Sequence, residues 1–162
     1  MINPDKRKVS LVIPVFNGSQ TIAKLVTDCI QTFEDSFDLE IVLINDCSED
    51  DSRDVCLALR NRYPNTVIFL SLSKNFGEHN AVMAGLNHTT GEFVVTLDDE
   101  GQNPPQEALN LINHAIRKKF DVVYSSYPKK RHHLLRNLCS WINGKVANLM
   151  LRKPAGLYLS SF

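Results

Sequence analysis

Short apolar segments alternate with amphipathic stretches along most of this chain, a pattern that few folds accommodate. The apolar segments are rich in valine, isoleucine and leucine and are bounded by turn residues, which is typical of buried strands. They predict strands at residues 9–15, 40–44, 67–72, 93–97 and 121–125. Alternating strands and helices predict an α/β fold with a mostly parallel sheet and helices on both faces.

Helical spacing of apolar residues separates the predicted strands. It covers residues 22–30 and 81–86. Ser48, followed three residues later by Asp51, resembles a capping box. It predicts the start of another helix, which lies in sequence between the two stretches above. A proline at position 104, directly after an asparagine, predicts the start of a fourth helix.

The length of 162 residues and the apolar content of 43% predict a single domain over residues 1–162. No run reaches the roughly 18 apolar residues of a membrane span, so the chain is expected to be soluble by itself. Its four cysteines form no CxxC pair, which favours a reduced, cytoplasmic setting, and Cys29 and Cys56 are predicted to be core residues. Neither a zinc site nor a nucleic-acid partner is indicated.

Charge is unevenly distributed, although the chain as a whole is neutral. The last 41 residues contain seven basic residues and no acidic one, which leaves the first 121 with a net charge of −7. Residues 129–162 therefore form a basic segment, in which residues 134–151 have the pattern of an amphipathic helix. Such asymmetry favours an anionic partner, for example a membrane surface, but a solvated basic helix explains it equally well.

Polar clusters follow the first four predicted strands. They lie at residues 17–18, 45–48, 73–77 and 98–102. Ligands of open parallel sheets bind at the carboxyl ends of the strands, where these four clusters would meet. We therefore expect them to outline a pocket, although turns are polar in any protein.

Three consecutive acids, Asp98, Asp99 and Glu100, follow the fourth predicted strand. A divalent cation would relieve their repulsion, and Asp98 and Glu100 would point the same way in an extended chain. Mg²⁺ or Mn²⁺ held in this way suits a nucleoside diphosphate. The alternative is an acidic flank that favours the dipole of the next helix, and the residues alone leave both interpretations open. A Rossmann dehydrogenase is disfavoured because no G-x-G-x-x-G follows any strand.

Four motifs resemble those of glycosyltransferase family 2. Residues 13–17 (IPVFN) resemble P-V-Y-N-E, and residues 44–50 (INDCSED) resemble V-D-D-G-S-x-D. Residues 73–86 resemble R-N-F-G…A-x-x-A-G-L, and residues 97–105 (LDDEGQNPP) resemble D-x-D-x-Q-x-P-P. Their order and span are similar above all to the polyprenyl-phosphate branch, which includes dolichol-phosphate mannose synthases.

The resemblance implies a GT-A fold and a set of site residues. Those around the nucleobase and ribose would be Pro14, Phe16, Asn17 and Asp46. Asp98 and Glu100 would hold the metal and diphosphate, and Gln102 would lie near the sugar or acceptor; we treat these three as the catalytic set. Asp99 is assigned to the nucleotide site. Lys74 is a candidate for a phosphate contact, although a lysine on a surface turn is more often solvated.

Three acidic positions of these motifs are changed in this chain. Gly18 replaces the glutamate of P-V-Y-N-E, and Asn45 replaces the first aspartate of V-D-D-G-S. Glu100 replaces the second aspartate of D-x-D, which keeps a carboxylate but alters its reach.

The function implied by the resemblance is inverting transfer of a sugar from a UDP-, GDP- or dTDP-sugar to an acceptor. The branch implies a polyprenyl phosphate as acceptor and the cytoplasmic face of a membrane as the location. It also implies that this chain is the N-terminal part of a longer transferase whose acceptor loop begins after residue 153. The alternatives are a fragment that binds nucleotide sugar without turnover, or a family 2 transferase that uses a saccharide acceptor in cell-surface polysaccharide synthesis.

Overall fold

The computed structural model describes residues 6–101 and 103–124. Within them, four parallel strands are arranged in the order β3-β2-β1-β4. The strands are β1 (Lys8–Val15), β2 (Asp38–Asn45), β3 (Val67–Ser71) and β4 (Phe93–Thr96). The helices that connect or follow them are α1 (Ile22–Phe33), α2 (Ser52–Arg62), α3 (Glu78–Leu86) and α4 (Pro105–Lys118).

The two central strands are apolar on both faces. In β1 every residue from Val9 to Val15 is buried, and in β2 every residue from Leu39 to Asn45 is buried. Strands covered by helices on both sides need such continuous apolar runs, whereas β3 and β4 at the edges are only partly buried. This confirms four of the five predicted strands, with boundaries shifted by one or two residues.

Helices pack on both faces of the sheet, as predicted. Helices α1, α2 and α4 cover the face that carries Leu11 and Ile13, while α3 covers the face that carries Val12 and Ile44. Helix α3 lies very close to the sheet at Gly85, because a Cβ added there would be 2.6 Å from Ile44 Cδ1. The fold class is therefore the predicted one.

The predicted core cysteines are buried in the helices of the larger cluster. Burial raises the pKa of the Cys29 thiol to about 12, and burial likewise raises the pKa of Cys56 to about 12. Both therefore act as small apolar side chains.

Two sequence predictions are wrong. Helix α2 begins at Ser52, and the side chain of Asp51 before it makes no capping hydrogen bond. Ser48 is not the cap either, because its hydroxyl accepts a hydrogen bond from another loop. The predicted strand at 121–125 is absent over its described part, residues 121–124. Val122 and Tyr124 are 64% and 83% exposed, and no described strand pairs with them. An apolar run without a pairing partner does not become a strand.

A buried carboxylate in β2 contacts β1 and the loop that precedes β4, near the amino ends of the strands. Glu40 in β2 is 6% exposed and accepts hydrogen bonds from Ser10 Oγ at 2.7 Å and from Thr90 N at 2.8 Å. Lys8 Nζ lies 3.2 Å from its other oxygen. Burial by itself raises the pKa of Glu40, but the hydrogen bonds outweigh it and hold the pKa below its ordinary value.

The chain divides into two compact units, Met1–Tyr124 and Ser125–Phe162, and every described residue belongs to the first. The single domain over 1–162 therefore stays a prediction. The basic segment 129–162, with its predicted helix at 134–151, lies outside the described residues. Among the helices that are described, none has the length and apolar character needed to cross a bilayer.

Candidate functional site

The four predicted polar clusters meet at one edge of the sheet. Val15, Asn45 and Ser71 are neighbours in the register of β1, β2 and β3, so the loops that follow these strands start at the same level. We call the four loops, at residues 16–21, 46–51, 72–77 and 97–104, the carboxyl-edge loops. Individually they are the β1–α1, β2–α2, β3–α3 and β4–α4 loops.

Three hydrogen bonds connect the β1–α1 loop to the β2–α2 loop. Asn17 N donates to Ser48 Oγ at 3.1 Å, and Glu49 N donates to Asn17 Oδ1 at 2.9 Å. Ser19 N donates to Asp50 Oδ2 at 3.1 Å. The side chain of Asn17, assigned from the sequence to the nucleotide, therefore holds its own loop against the next one.

Asp50 is a structural residue of this edge that the sequence analysis did not single out. Besides Ser19 N, it accepts a hydrogen bond from Ser52 N at 3.0 Å, at the start of α2. Burial raises the pKa of Asp50, but the hydrogen bonds from Ser52 and Ser19 outweigh burial and hold the pKa well below its usual range. The signal was present, because Asp50 is the last residue of the V-D-D-G-S-x-D resemblance.

Asp46 connects the β2–α2 loop to the β3–α3 loop. Its carboxylate is 2% exposed and accepts Phe76 N and Gly77 N, each at 2.8 Å, one at each oxygen. Gly77 immediately precedes α3, so the carboxylate also lies at the positive end of that helix. The predicted base contact would have to use the remaining lone pairs of a group that already fixes a loop.

Two aromatic rings are exposed at this edge, which is unusual for phenylalanine. Phe16 is 47% exposed and Phe76 is 44% exposed. Lys74 Nζ lies 4.9 Å from the centroid of the Phe76 ring, within the range of a cation–π contact. Phe16, which the resemblance puts near the nucleobase, thus has an accessible face, while Phe76 was missed although it lies in the R-N-F-G resemblance.

The three acids of the β4–α4 loop have different surroundings. Asp98 Oδ2 accepts a hydrogen bond from Asn103 Nδ2 at 3.2 Å, and Glu100 is exposed. Asp99 Oδ2 accepts the backbone N–H of Phe16 at 3.0 Å. Burial raises the pKa of Asp99, and the charges of Glu100 and Asp98 raise it further, while the hydrogen bond from Phe16 opposes them. The repulsion expected from the sequence therefore acts on the middle acid.

Pro14 and Gln102 are the remaining predicted site residues. Pro14 is buried inside β1, opposite Ile44, so it shapes the strand and is not exposed at the edge. Gln102 lies outside the described residues.

The acids of the β4–α4 loop suit a small cation that takes only some of its oxygen ligands from the protein, and not one enclosed by protein side chains. Among the residues that the structure describes, no three histidine, cysteine, aspartate or glutamate side chains are grouped to hold a metal ion. Asp99 is directed to the β1–α1 loop, which leaves Asp98 and Glu100 as the candidate ligands. Mg²⁺ commonly takes one or two carboxylates and completes its shell with water and substrate phosphates.

An open cleft of about 330 Å³ lies at the opposite end of the sheet. Phe93 and Ile116 line it, and its charged residues carry both signs. Arg7 in this cleft pairs with Glu92 at 3.9 Å. This cleft also has an exposed ring, that of Phe120 at 52%, but the clustered acids belong to the carboxyl edge, so that edge is the candidate site.

Comparison with known proteins finds relatives by sequence. Residues 10–145 match the sequence profile of Glycosyl transferase family 2. The chain is 30% identical over 164 aligned residues to the undecaprenyl-phosphate 4-deoxy-4-formamido-L-arabinose transferase of Yersinia pestis. That alignment covers 99% of this chain and 48% of the relative, so the chain spans about half the length of the curated relatives it matches.

Solved structures share the fold at low sequence identity. S. aureus TarS 1–349, in complex with UDP-GlcNAc, has a TM-score of 0.58 and 21% identity, covering 75% of this chain and 37% of that one. The mannosyltransferase PcManGT from Pyrobaculum calidifontis, in complex with GDP-Man and Mn²⁺, has a TM-score of 0.53 and 20% identity, covering 60% and 28% respectively. This likeness confirms the predicted GT-A fold.

Proposed function

This chain belongs to glycosyl transferase family 2, and from that premise we propose that it binds a nucleotide-diphospho-sugar at the carboxyl-edge loops for inverting transfer to a polyprenyl phosphate. One observation carries the proposal: the loop that bears Asp98 and Glu100 is joined to the loop that bears the exposed Phe16 ring. Acids that can hold a cation, beside a ring that can stack on a base, suit the two ends of a nucleoside diphosphate.

The donor would be held by groups from three of the loops. Phe16 offers a stacking face to the nucleobase, and Asp46 offers lone pairs to a base or ribose N–H or O–H. Lys74, held over the Phe76 ring, is positioned at the edge where a phosphate would need a positive charge. The nucleotide sugars bound in the structural neighbours, UDP-GlcNAc in TarS and GDP-Man in PcManGT, support this donor class without selecting among UDP-, GDP- and dTDP-sugars.

Asp98 and Glu100 would hold Mg²⁺ or Mn²⁺ against the diphosphate. When bound, the cation neutralises charge that develops on the departing diphosphate. The Mn²⁺ in the mannosyltransferase complex supports a divalent ion at such a site. The chain's own contribution is the hydrogen bond that holds Asp99, the acid between these two, toward Phe16.

The acceptor step would be a direct displacement. A phosphate oxygen of the acceptor forms a bond to the anomeric carbon while the bond from that carbon to the donor diphosphate breaks, which inverts the configuration. A phosphate monoester has a second pKa of about 6, so at neutral pH it attacks as a dianion and requires no strong base. Gln102 stays a proposed contact to sugar or acceptor.

The name of the Yersinia pestis relative supports an undecaprenyl-type lipid phosphate as the acceptor. Such a substrate would place the enzyme at a membrane, and we propose its cytoplasmic face, where nucleotide sugars are made. The alternative is a unit that binds the donor without turnover. A saccharide acceptor is the second alternative.

A thermal-shift panel of UDP-, GDP- and dTDP-sugars, with and without Mn²⁺, tests the donor site. One donor should stabilise the protein by about 2.7 kcal/mol at a concentration 100 times its Kd. Asp98→Ala should abolish the Mn²⁺-dependent part while leaving the stability of the unliganded protein unchanged or higher, because acid repulsion is relieved. Asp35→Ala, the same change at an exposed turn, is the matched control and should keep the full response.

The panel contradicts the donor site if no nucleotide sugar stabilises the protein. A clear loss of unliganded stability in Asp98→Ala would show that this acid is structural. Transfer of labelled sugar to undecaprenyl phosphate then separates the enzyme from the binding unit, because binding without transfer favours the latter. Transfer to a saccharide but not to the lipid phosphate would favour the second alternative.

A further inference from the structure

We infer that Asp99 supplies, from the β4–α4 loop, the carboxylate that position 18 lacks, and that it positions the Phe16 loop against the acids beside it. Gly18 stands where the P-V-Y-N-E motif has glutamate, and Asp99 stands at the variable position of D-x-D. The inference rests on the proposed function because it assigns Asp99 a positioning role in the donor site.

The space that a side chain at position 18 would need is filled by Asp99. A Cβ added to Gly18 would lie 2.4 Å from Asp99 Oδ2 and 3.0 Å from its Cγ. Gly18 is buried, and it is not among the described glycines with positive φ, so the obstacle to a side chain is space and not backbone conformation. The two residues are therefore complementary in size.

The same carboxylate is bound to the backbone of the loop it contacts. Asp99 Oδ2 lies 3.0 Å from Phe16 N, and the hydrogen bond crosses 83 residues of sequence. A charged acceptor shortens and strengthens such a bond compared with a neutral one. Gly18, two residues on, accepts Thr21 N and Ile22 N through its carbonyl, each at 3.1 Å, and so starts α1.

Phe16 is consequently held between two neighbouring loops. Its N–H is bound to Asp99, and the next N–H, that of Asn17, is bound to Ser48. Its ring stays half exposed at the edge. Because Asp99 lies between the two acids proposed to hold the cation, one residue couples the base-stacking ring to the diphosphate end of the site.

The test measures two properties of the full chain. The first is hydrogen exchange of the Phe16 amide by NMR, which needs no nucleotide. The second is the Kd of the nucleoside diphosphate, with Mn²⁺, by calorimetry. The variants are Asp99→Ala, Asp99→Asn, Gly18→Ala and the double change Gly18→Ala with Asp99→Ala, and Asp35→Ala is the matched control.

We expect Asp99→Ala to speed exchange at Phe16 and to weaken nucleotide binding by about tenfold to a hundredfold, the range for a hydrogen bond to a charged group. Asp99→Asn keeps an acceptor and should rescue the protection of Phe16. Gly18→Ala should displace the carboxylate and imitate Asp99→Ala. In the background of Asp99→Ala the alanine at position 18 meets no carboxylate, so the double variant should be no worse than the single one.

Additive losses in Gly18→Ala and Asp99→Ala would overturn the inference, as would unchanged exchange at Phe16 in Asp99→Ala. The outcomes also separate this inference from the proposed function. If the expected exchange pattern appears in a chain that binds no nucleoside diphosphate, the coupling stands and the proposed function fails. If wild type and Asp99→Ala bind the nucleotide equally well, the coupling fails and the proposed function stands.

Discussion

Asn17 and Cys47 lie at the same step beyond neighbouring strands, and both have φ of +56°. Asparagine tolerates this left-handed conformation and uses its carboxamide to bridge two loops. Cys47 has weaker compensation, since its thiol donates only a long hydrogen bond, of 4.0 Å, to Ser73 O. Cys47 stands where V-D-D-G-S has glycine. The motif therefore indicated a position that favours glycine, but the left-handed backbone at Cys47 was not predicted from the sequence.

Cys47→Gly should therefore stabilise the protein. The left-handed conformation costs a residue with a Cβ about 1–2 kcal/mol, part of which is offset by the greater freedom of glycine in the unfolded chain. We expect a net gain of about 0.5–1 kcal/mol in the free energy of unfolding. Urea denaturation measures it, with Cys47→Ala as the control that removes the thiol but keeps the Cβ. Equal stabilities of the two variants would contradict the strain argument.

Asp46→Ala should destabilise the fold as well as weaken nucleotide binding. Two backbone N–H groups, those of Phe76 and Gly77, lose a charged acceptor that is almost fully buried. We expect the free energy of unfolding to fall by about 2–4 kcal/mol. Urea denaturation measures the loss of stability and calorimetry measures the loss of nucleotide affinity, and Asp35→Ala is again the exposed control. An unchanged unfolding free energy would show that the loop does not depend on this carboxylate.

At the scale of elements, periodicity predicted the features that neighbouring residues determine, such as the burial of a strand. It missed those that depend on residues distant in sequence, such as strand pairing and hydrogen bonds between loops. The runs that became β1 and β2 are apolar except at Ser10 and Glu40, so most of their burial could be seen in sequence. The segment at 121–124 has the same composition, but a strand also needs a partner, and pairing is not a local property. Ser48 fails as a cap for the same reason, because its hydroxyl accepts the N–H of Asn17, 31 residues away.

The candidate site shows the same division. Its residues were predicted to meet at the strand ends, and they do, because parallel strands bring their carboxyl ends together. Their hydrogen bonds were not predicted. Asp46, Asn17 and Asp99 each bind the backbone of another loop, and such contacts depend on loop conformations that no local pattern encodes.

Glu40 makes the attachment of β4 dependent on pH. Burial raises its pKa, but hydrogen bonds from Ser10, Thr90 and Lys8 lower it more, so the folded-state pKa lies below the ordinary value of 4.5. A depressed pKa means that the stabilisation is fully present above the ordinary value and is lost as the pH falls through the folded-state pKa.

Glu40→Gln should lower the unfolding free energy at pH 7 by about 1–2 kcal/mol, because the charged acceptor is lost. Its stability should also fall less than that of wild type when the pH drops from neutral to below 4.5. Urea denaturation at both pH values measures this, and Glu34→Gln, at an exposed position, is the control. If the unfolding free energies of wild type and Glu40→Gln fell equally with pH, this pH dependence would not come from Glu40.

At the scale of the whole molecule, hydrogen bonds continue the order of the sheet across its carboxyl edge. Asp99 joins the β4–α4 loop to the β1–α1 loop, Asn17 joins the latter to the β2–α2 loop, and Asp46 joins that to the β3–α3 loop. Each loop is thus held by the loop beside it. A donor that binds several of them would stabilise all, which is why a thermal shift is a sensitive measure of this site.

Opposite charges are separated along the chain, and this bears on where a lipid acceptor would be met. The first 121 residues carry −7 and the last 41 carry +7. Each basic residue near an anionic bilayer contributes about 1 kcal/mol of attraction. Several together would hold the protein reversibly at the membrane.

We therefore expect the full chain to co-sediment with vesicles that contain anionic lipid and not with neutral vesicles. Binding should fade at high salt, because screening acts over about 10 Å at 0.1 M ionic strength. Replacing Lys129, Lys130 and Arg131 by glutamine should weaken it, whereas the same change at Arg53, Arg60 and Arg62, which are exposed on α2, should not. Equal sedimentation with both lipids, or none at low salt, would mean that the basic segment only solvates the protein and that a lipid acceptor must be recruited by other means.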